Sequence, residues 1–390
     1  MKKDDFIVSA PGKLISITGG HSFIPNPLPP KIKWSNKIVK LLGEARFSLG
    51  KLNAIEPEFT RPEPFIFSSI IKMEAVSSTR IEGTQTTFED ILIFESLRKN
   101  KATINDVLET YNYINATNYG YKELKEKKFP LCNRLIKETH RMLLDRVRGD
   151  EYTPGEFRRT QVYIGIRQQP IEQARFIPPP PNIIDKLMSD LENFLNSDSD
   201  LDPLLISSLS HYQFEAIHPF YDGNGRIGRI LIIYILMDKG LLNKPILYIS
   251  PYFERENREK YYNLLLKISQ KGAWEEWIEF YLLGIIERTK WVIDTFQKSM
   301  SLIEEFEKSV IKECNSLHTK EALKILYGYP IFTTPLFHKI YKKHFNNVSL
   351  STIRNILKIW QKLKIIEVLK KDKKEIIFYC PKLMNILTKP

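Results

Sequence analysis

His218-Pro-Phe-Tyr-Asp-Gly-Asn-Gly-Arg-Ile-Gly-Arg229 is the stretch on which the reading of this 390-residue chain turns. It falls between two segments of helical apolar spacing, 201–217 and 226–239, and so predicts a tight loop that feeds a helix N-terminus. Gly223 and Gly225 free backbone N–H groups to face an anion, and a helix start adds unpaired donors and the positive end of its dipole. Arg226 and Arg229 stand three apart on that helix, on one face, where both can point at the same anion. Asp222 is a hard carboxylate of the kind that holds Mg²⁺ between phosphates. His218 has the ordinary pKa that suits proton abstraction near neutrality. Singly, each residue also reads as turn chemistry or a structural hydrogen bond. A base, a metal-type carboxylate, two loop glycines and two guanidiniums within twelve residues do not.

Outward from this loop the apolar pattern is helical almost everywhere. It predicts helices over 36–49, 65–81, 104–126, 131–144, 183–195, 254–269 and 274–308. The first 60 residues, rich in Pro, Gly and Asn, are expected to be mostly extended or irregular outside 36–49. One segment breaks the rhythm: 159–165 is β-rich and, after a turn, 174–177 runs into four prolines, which reads as a hairpin on a helical body. A last block, 320–381, predicts three short helices followed by two strands. The chain exceeds one ordinary core, and the expected division is an N-terminal segment over 1–100, a main domain over 101–310 and a terminal domain over 320–390.

Composition excludes several classes. Apolar residues make up 43% and charged residues 27%, as in globular chains. No apolar run approaches the roughly 18 residues of a membrane span, and the start, Met1-Lys-Lys-Asp-Asp5, lacks a signal-peptide core. Cys132, Cys314 and Cys380 are far apart and not in metal-ligand spacing, so a cytoplasmic, reducing setting is expected. The Lys- and Ile-rich composition fits a bacterial source.

The 218–229 segment resembles the signature of the Fic family, HPFx[D/E]GNGRxxR, with every specified position filled. Pro154-Gly-Glu-Phe-Arg-Arg159 and the hairpin after it are similar to the region before the family's active site. The resemblance implies a mainly α, helical Fic fold with a β-hairpin flap. It implies a protein adenylyltransferase that moves AMP from ATP, with Mg²⁺, onto a Ser, Thr or Tyr hydroxyl of a target protein. His218 would deprotonate that hydroxyl, and Asp222 would hold Mg²⁺ between the α- and β-phosphates. Gly223, Asn224 and Gly225 would position those phosphates, with Ile227 and Gly228 in the same nucleotide-binding segment, and Arg226 and Arg229 would take the departing pyrophosphate. Phe220 would pack inward. The hairpin over 161–175 would dock the target peptide by strand addition, with Ile164, Gly165, Ile166 and Arg167 against nucleotide. Asn257, Tyr261 and Tyr262 would line the adenine side.

Ser78-Thr-Arg-Ile-Glu-Gly83 resembles the family's inhibitory motif, [S/T]xxxE[G/N]. The resemblance implies an N-terminal inhibitory helix whose Glu82 pairs with Arg229 and displaces the γ-phosphate of ATP, because a carboxylate and a phosphate compete for one guanidinium. Ser78 and Gly83 complete the motif.

From Lys320 to Pro390 there are fifteen Lys/Arg and four Asp/Glu, a net +11 of the chain's +12. The order of elements there resembles a winged helix. Its second helix starts at Ser349 or Ser351 and presents Arg354, Lys358 and Lys362, and a basic wing spans 370–374. DNA and a plain packing role are both open for this module, as is a homodimer. Removal of AMP or transfer of another phosphate-bearing group, and a DNA-binding regulator with the Fic body as scaffold, are the alternative functions.

Overall fold

A computed structural model describes the chain except at positions 1–2, 8–9, 60–64, 98–104, 166–168, 315, 346, 372–374 and 390. The chain opens with a hairpin that the sequence did not announce, β1 (Gly12–Ile17) and β2 (Gly20–Pro25), paired antiparallel from Gly12 opposite Pro25 to Ile17 opposite Gly20. Gly19 and Gly20 both take positive φ at the turn, which is why the strands read as irregular: the Gly pair, not apolar alternation, carries the signal.

α1 (Asn36–Phe59) is ten residues longer than expected. It continues through Gly43 and Gly50 because its apolar stripe lies along a long helix described below, and packing outweighs the helix cost of glycine. α2 (Phe65–Ile81) has the predicted bounds. α3 (Phe88–Leu97) follows, an element the pattern missed. Next come α4 (Asn105–Tyr121), α5 (Asn133–Leu143), α6 (Ile184–Asn196) and α7 (Pro203–Ile217). α8 (Asn224–Asp238) is buried along nearly all its length and apolar from Ile230 to Met237, the central helix of the body. α9 (Ser250–Phe253), α10 (Arg258–Lys271) and the 40-residue α11 (Trp274–Glu313), on which α1 lies, complete the body.

Among the described residues, the expected hairpin over 161–175 shows a bridge rather than a pair of strands. A single antiparallel bridge joins Ile164 to Phe176, closed by Ile164 N–H to the Phe176 carbonyl (2.8 Å) and Arg175 N–H to the Ile164 carbonyl (2.8 Å). The run Pro178–Pro181 removes N–H donors on one side of the bridge, and residues 166–168 on the other side lie outside the described residues.

The C-terminal block runs α12 (Leu317–Ile325), β3 (Ile331–Thr333), α13 (Thr334–His344), α14 (Leu350–Lys362), β4 (Glu367–Lys371), β5 (Ile376–Tyr379) and α15 (Pro381–Thr388). The three strands form one antiparallel sheet in the order β3-β5-β4. Thr333 caps α13, and Ser349 caps α14 by accepting from the Thr352 N–H (3.1 Å). The three-residue β3 and the closing α15 were not foreseen.

This block is built onto the N-terminal helices. Ser69 Oγ of α2 donates to the Tyr327 carbonyl (2.7 Å), and buried Lys72 reaches the Gly328 carbonyl (3.1 Å). Thr333 Oγ1 donates to the Ser96 carbonyl of α3 (3.2 Å). Among the described residues no helix is long and apolar enough to cross a membrane.

Candidate active site

The loop is assembled by two buried side chains outside the signature. His140, on α5, stacks face to face on Phe220 (3.7 Å between centroids, 6°). Its Nδ1 accepts from the Gly155 N–H (2.8 Å), so Nε2 carries the proton and donates to the Asp222 carbonyl (3.0 Å). Burial pushes its pKa down to about 4, in keeping with that neutral tautomer. Arg158, fully buried, donates to four backbone carbonyls: His218 (2.9 Å), Thr160 (3.0 Å), Pro179 and, at 3.5 Å, Ile217. It clamps the end of α7 to the polyproline segment.

His218 itself terminates α7 in the left-handed region (φ 50°, ψ 60°). A non-glycine residue there carries roughly 1 kcal/mol of strain, held by the Arg158 bond to its carbonyl. The turn takes the imidazole off the helix, and Pro219 prevents the helix from resuming. Nδ1 of His218 is buried, and a backbone contact from Glu215 to the ring works against the fall in its pKa. Burial first, and then the nearby Arg158 charge, lower its pKa to about 4, so at neutral pH the ring is an unprotonated base.

Gly223 caps α8 at φ 77°, a conformation that favours glycine. Its N–H is held by Asp222 Oδ1 (2.6 Å). Asn224 departs from its expected place against phosphate: Oδ1 accepts from the Phe220 N–H (2.9 Å) and Nδ2 donates to the Phe220 carbonyl (2.8 Å), so the buried amide braces the loop from within. Ile227 is likewise core, and Gly228 allows Glu215 and His211 to approach α8, because a Cβ there would overlap the Glu215 carboxyl.

The two arginines do not converge on one anion in this state. Arg226 is buried between Glu109 of α4 (3.1 Å) and Asp222 (3.3 Å). Burial raises the Glu109 pKa, and Arg226 works against that rise. Arg229 is turned to α2: Nε donates to Ser78 Oγ (2.8 Å), and Nη2 to the Ser78 carbonyl (2.9 Å) and Glu82 Oε1 (2.7 Å). A Cβ on Gly225 would overlap Glu82 Oε1, so the Glu82 carboxylate lies directly against the first turn of α8. Gly83 ends α2 at φ 101°, with the Thr84 N–H bonded back to the Thr79 carbonyl (3.3 Å) and its own N–H to the Arg80 carbonyl (3.0 Å). That cap fixes where Glu82 points. All three residues of the expected brake are thus in one arrangement with Arg229.

The expected adenine side separates. Tyr261 is buried in an aromatic stack, 4.6 Å from Phe253, and its hydroxyl donates to His211 Nε2 (2.8 Å), whose Nδ1–H meets the Gly228 carbonyl (3.0 Å). It is a core residue, as an aromatic on a helix with apolar neighbours on both sides generally is. Tyr262 stays at the site, half-buried, with the Arg175 guanidinium 5.9 Å from its ring. Asn257 opens onto a cavity of about 520 Å³ along α2, lined with Ser77, Arg80, Tyr248, Tyr252 and Glu254, to which none of residues 218–229 contributes. Ile164 and Gly165 sit at the bridge beside Arg175, while Ile166 and Arg167 lie outside the described residues.

Glu109, His140 and Glu215 carry no motif in the sequence, and only the packing of α4, α5 and α7 against α8 brings them to the site. Arg158 is different: its place in Pro154–Arg159 marked the segment, though not the role.

The Fic/DOC family profile matches residues 130–236, which hold the whole loop, and the Fic/DOC family N-terminal profile matches 39–122, which hold Ser78–Gly83. The chain carries a Fic/DOC domain. It is 34% identical over 179 residues to a protein adenylyltransferase Fic of Culex quinquefasciatus, and 36% identical over 156 residues to that of Drosophila melanogaster. These alignments cover 45% and 40% of this chain but 31% and 28% of the relatives, so the chain spans about a third of the curated relatives' length. The crystal structure of a Fic family protein from Desulfovibrio desulfuricans G20 superposes with a TM-score of 0.58 at 20% identity, over 90% of this chain and 98% of that one, which establishes the Fic fold. Residues beyond 236, including the C-terminal block, lie outside both family profiles.

Proposed function

We propose that this Fic-domain protein transfers AMP from ATP to a hydroxyl of a target protein with release of pyrophosphate, and that Glu82 holds it in an autoinhibited state. The observation that carries the reading is a neutral, desolvated His218 at the start of a loop that runs into the glycine-capped helix start of α8, with Glu82 on Arg229 of that helix. Adenylyltransferase relatives support it, as does the intact signature.

In the reaction the hydroxyl oxygen attacks the α-phosphorus as the bond to the β-phosphate oxygen breaks. The hydroxyl proton passes to His218, and pyrophosphate leaves with the negative charge. This chemistry needs positioning and neutralisation of charge rather than a covalent enzyme intermediate. The first N–H groups of α8 and the Arg229 guanidinium supply positive potential for the phosphates. Asp222 fits Mg²⁺: its side chain is one-third exposed, Oδ2 has Arg148 as a loose partner at 3.9 Å, and a lone carboxylate joined by phosphate oxygens is a normal Mg²⁺ donor set. When bound, the ion would neutralise charge on the bridging phosphates. Arg148 (3.9 Å) and Arg226 (3.3 Å) hold the Asp222 carboxylate in place for that role. A target peptide would add as a strand beside the Ile164–Phe176 bridge. Half-buried Tyr262 is the side chain left to face the adenine.

With Glu82→Gly protein, label from [α-³²P]ATP should appear on protein and label from [γ-³²P]ATP should not. Label from the γ-position would show kinase-like chemistry. Release of AMP from a modified target, without incorporation, would show the reverse reaction.

A further inference from the structure

The C-terminal block holds nearly all of the chain's excess positive charge, and its structure concentrates part of that charge on one helix face. α14 buries Ile353, Ile356, Leu357 and Trp360 against its neighbours and exposes Ser351, Arg354, Asn355 and Lys358 on the opposite side. The helix contains no acidic residue. Lys362, at its end, is paired with Glu313 of α11, whereas among the described residues neither Arg354 nor Lys358 has an ion-pair partner. β4 adds exposed Lys370 and Lys371, also without one among the described residues.

We infer that this face binds double-stranded DNA, with α14 in the major groove. Three observations meet there. The order helix–strand–helix–helix–strand–strand with a three-stranded antiparallel sheet is that of a winged helix, and α14 occupies the place of the helix that enters the groove. Unpaired like charges on one face repel one another and raise the local potential, a cost that a polyanion removes by releasing its counterions. The residue types are those that read base edges: Arg354 suits guanine and Asn355 suits adenine, while Lys358, Lys370 and Lys371 suit phosphates. A packing role alone would favour an apolar or charge-paired face, as on the buried side of the same helix. This site stands apart from the nucleotide loop, so it holds whether or not AMP transfer is confirmed.

The test is fluorescence anisotropy of the full-length protein with a labelled random duplex of about 25 base pairs, at salt from about 50 to 300 mM. Non-specific affinity near 10⁻⁴–10⁻⁶ M at physiological salt, falling steeply with salt, is expected. The double variant Arg354→Glu/Lys358→Glu should weaken binding at least tenfold and flatten the salt slope by about two. Lys40→Glu/Lys186→Glu, on the Fic body with the same change in net charge, should leave both unchanged. Melting curves confirm that each variant is folded. The proposal is overturned if the α14 variant binds like wild type, if both variants weaken binding equally, or if single-stranded RNA is preferred over the duplex. Absence of any duplex binding at 50 mM salt would overturn it as well.

Discussion

Arg229 grips the last turn of α2 at three points: Ser78 Oγ, the Ser78 carbonyl and, at 2.7 Å, Glu82 Oε1. Its guanidinium is 1% exposed, so what it binds is decided inside the protein. In the proposed brake, a triphosphate engages Arg229 by replacing Glu82, because carboxylate and phosphate compete for the same guanidinium donors.

Glu82→Gly should therefore raise the rate of AMP incorporation by about 10- to 100-fold, the equivalent of a charged hydrogen bond of about 1.5–3 kcal/mol. Incorporation of [α-³²P] label into the protein and its targets measures it. A variant no faster than wild type would mean that the Glu82–Arg229 pair is structural only. Because buried Arg229 loses its carboxylate partner, Glu82→Gly should also melt several degrees lower.

In the released background, His218→Ala should lower incorporation by about 10²–10⁴-fold, the usual weight of a general base. Because burial holds the His218 pKa near 4, the acid limb of kcat/KM should fall near pH 4 and leave a plateau through pH 5–8. An acid limb near 6.5 would mean that the ring titrates as a solvated histidine. The same depression has a stability consequence. The folded pKa lies below the ordinary 6.5, so the unfolded chain binds more protons between these values, and stability present above pH 6.5 is lost as pH falls toward 4. His140 and His211, lowered by burial to about 4 and about 3, act in the same direction.

Arg158→Lys tests the clamp beneath the loop. A planar guanidinium reaches the carbonyls of His218, Thr160 and Pro179 together, and a single ammonium cannot. With the left-handed turn at His218 no longer held, kcat should fall by about 10-fold or more through mispositioning. KM for ATP should change little, since Arg158 lies under the loop rather than on the nucleotide side. An equal rise in KM, with kcat retained, would place Arg158 in nucleotide binding.

What the sequence made legible follows from what kind of information it holds. Helices such as α2 and α13 were readable to the residue because each combines a long apolar period with a start or stop residue. The loop was readable because its chemistry is contiguous: base, carboxylate, glycines and arginines occur in order. The partners of that loop were not, since Glu109 and His140 come from helices whose patterns show only amphipathicity. Asn224 and Tyr261 show the opposite limit. Their residue types suit ligand contact, yet their amide and hydroxyl are consumed by Phe220 and His211, and hydrogen-bond satisfaction is a property of the fold. The single bridge at Ile164 gives a third case, where β-propensity predicted a ladder and the run Pro178–Pro181 removes donors on one side.

Glu215 offers the last test, because its buried carboxyl lies against Gly228 of α8, within the electrostatic reach of both Arg229 and Glu82, and its Oε1 has no hydrogen bond. Burial raises its pKa to about 8; Arg229 pulls it down and Glu82 pushes it up. The folded value lies above the ordinary 4.5, so the folded state binds more protons between 4.5 and 8. The stability that this proton contributes is complete below pH 4.5 and is lost as pH rises through 8. Glu215→Gln keeps the shape and removes the titration. The melting temperature of the variant relative to wild type should be nearly unchanged at pH 4.5 and several degrees higher at pH 8.5, since only wild type then carries the cost of a buried charge. Glu82→Gly should shrink that difference, because without the second carboxylate Arg229 is free to neutralise Glu215. If the difference is the same with and without Glu82, the two carboxylates do not share the guanidinium, and release of the brake leaves Arg229 unpaired and open to phosphate.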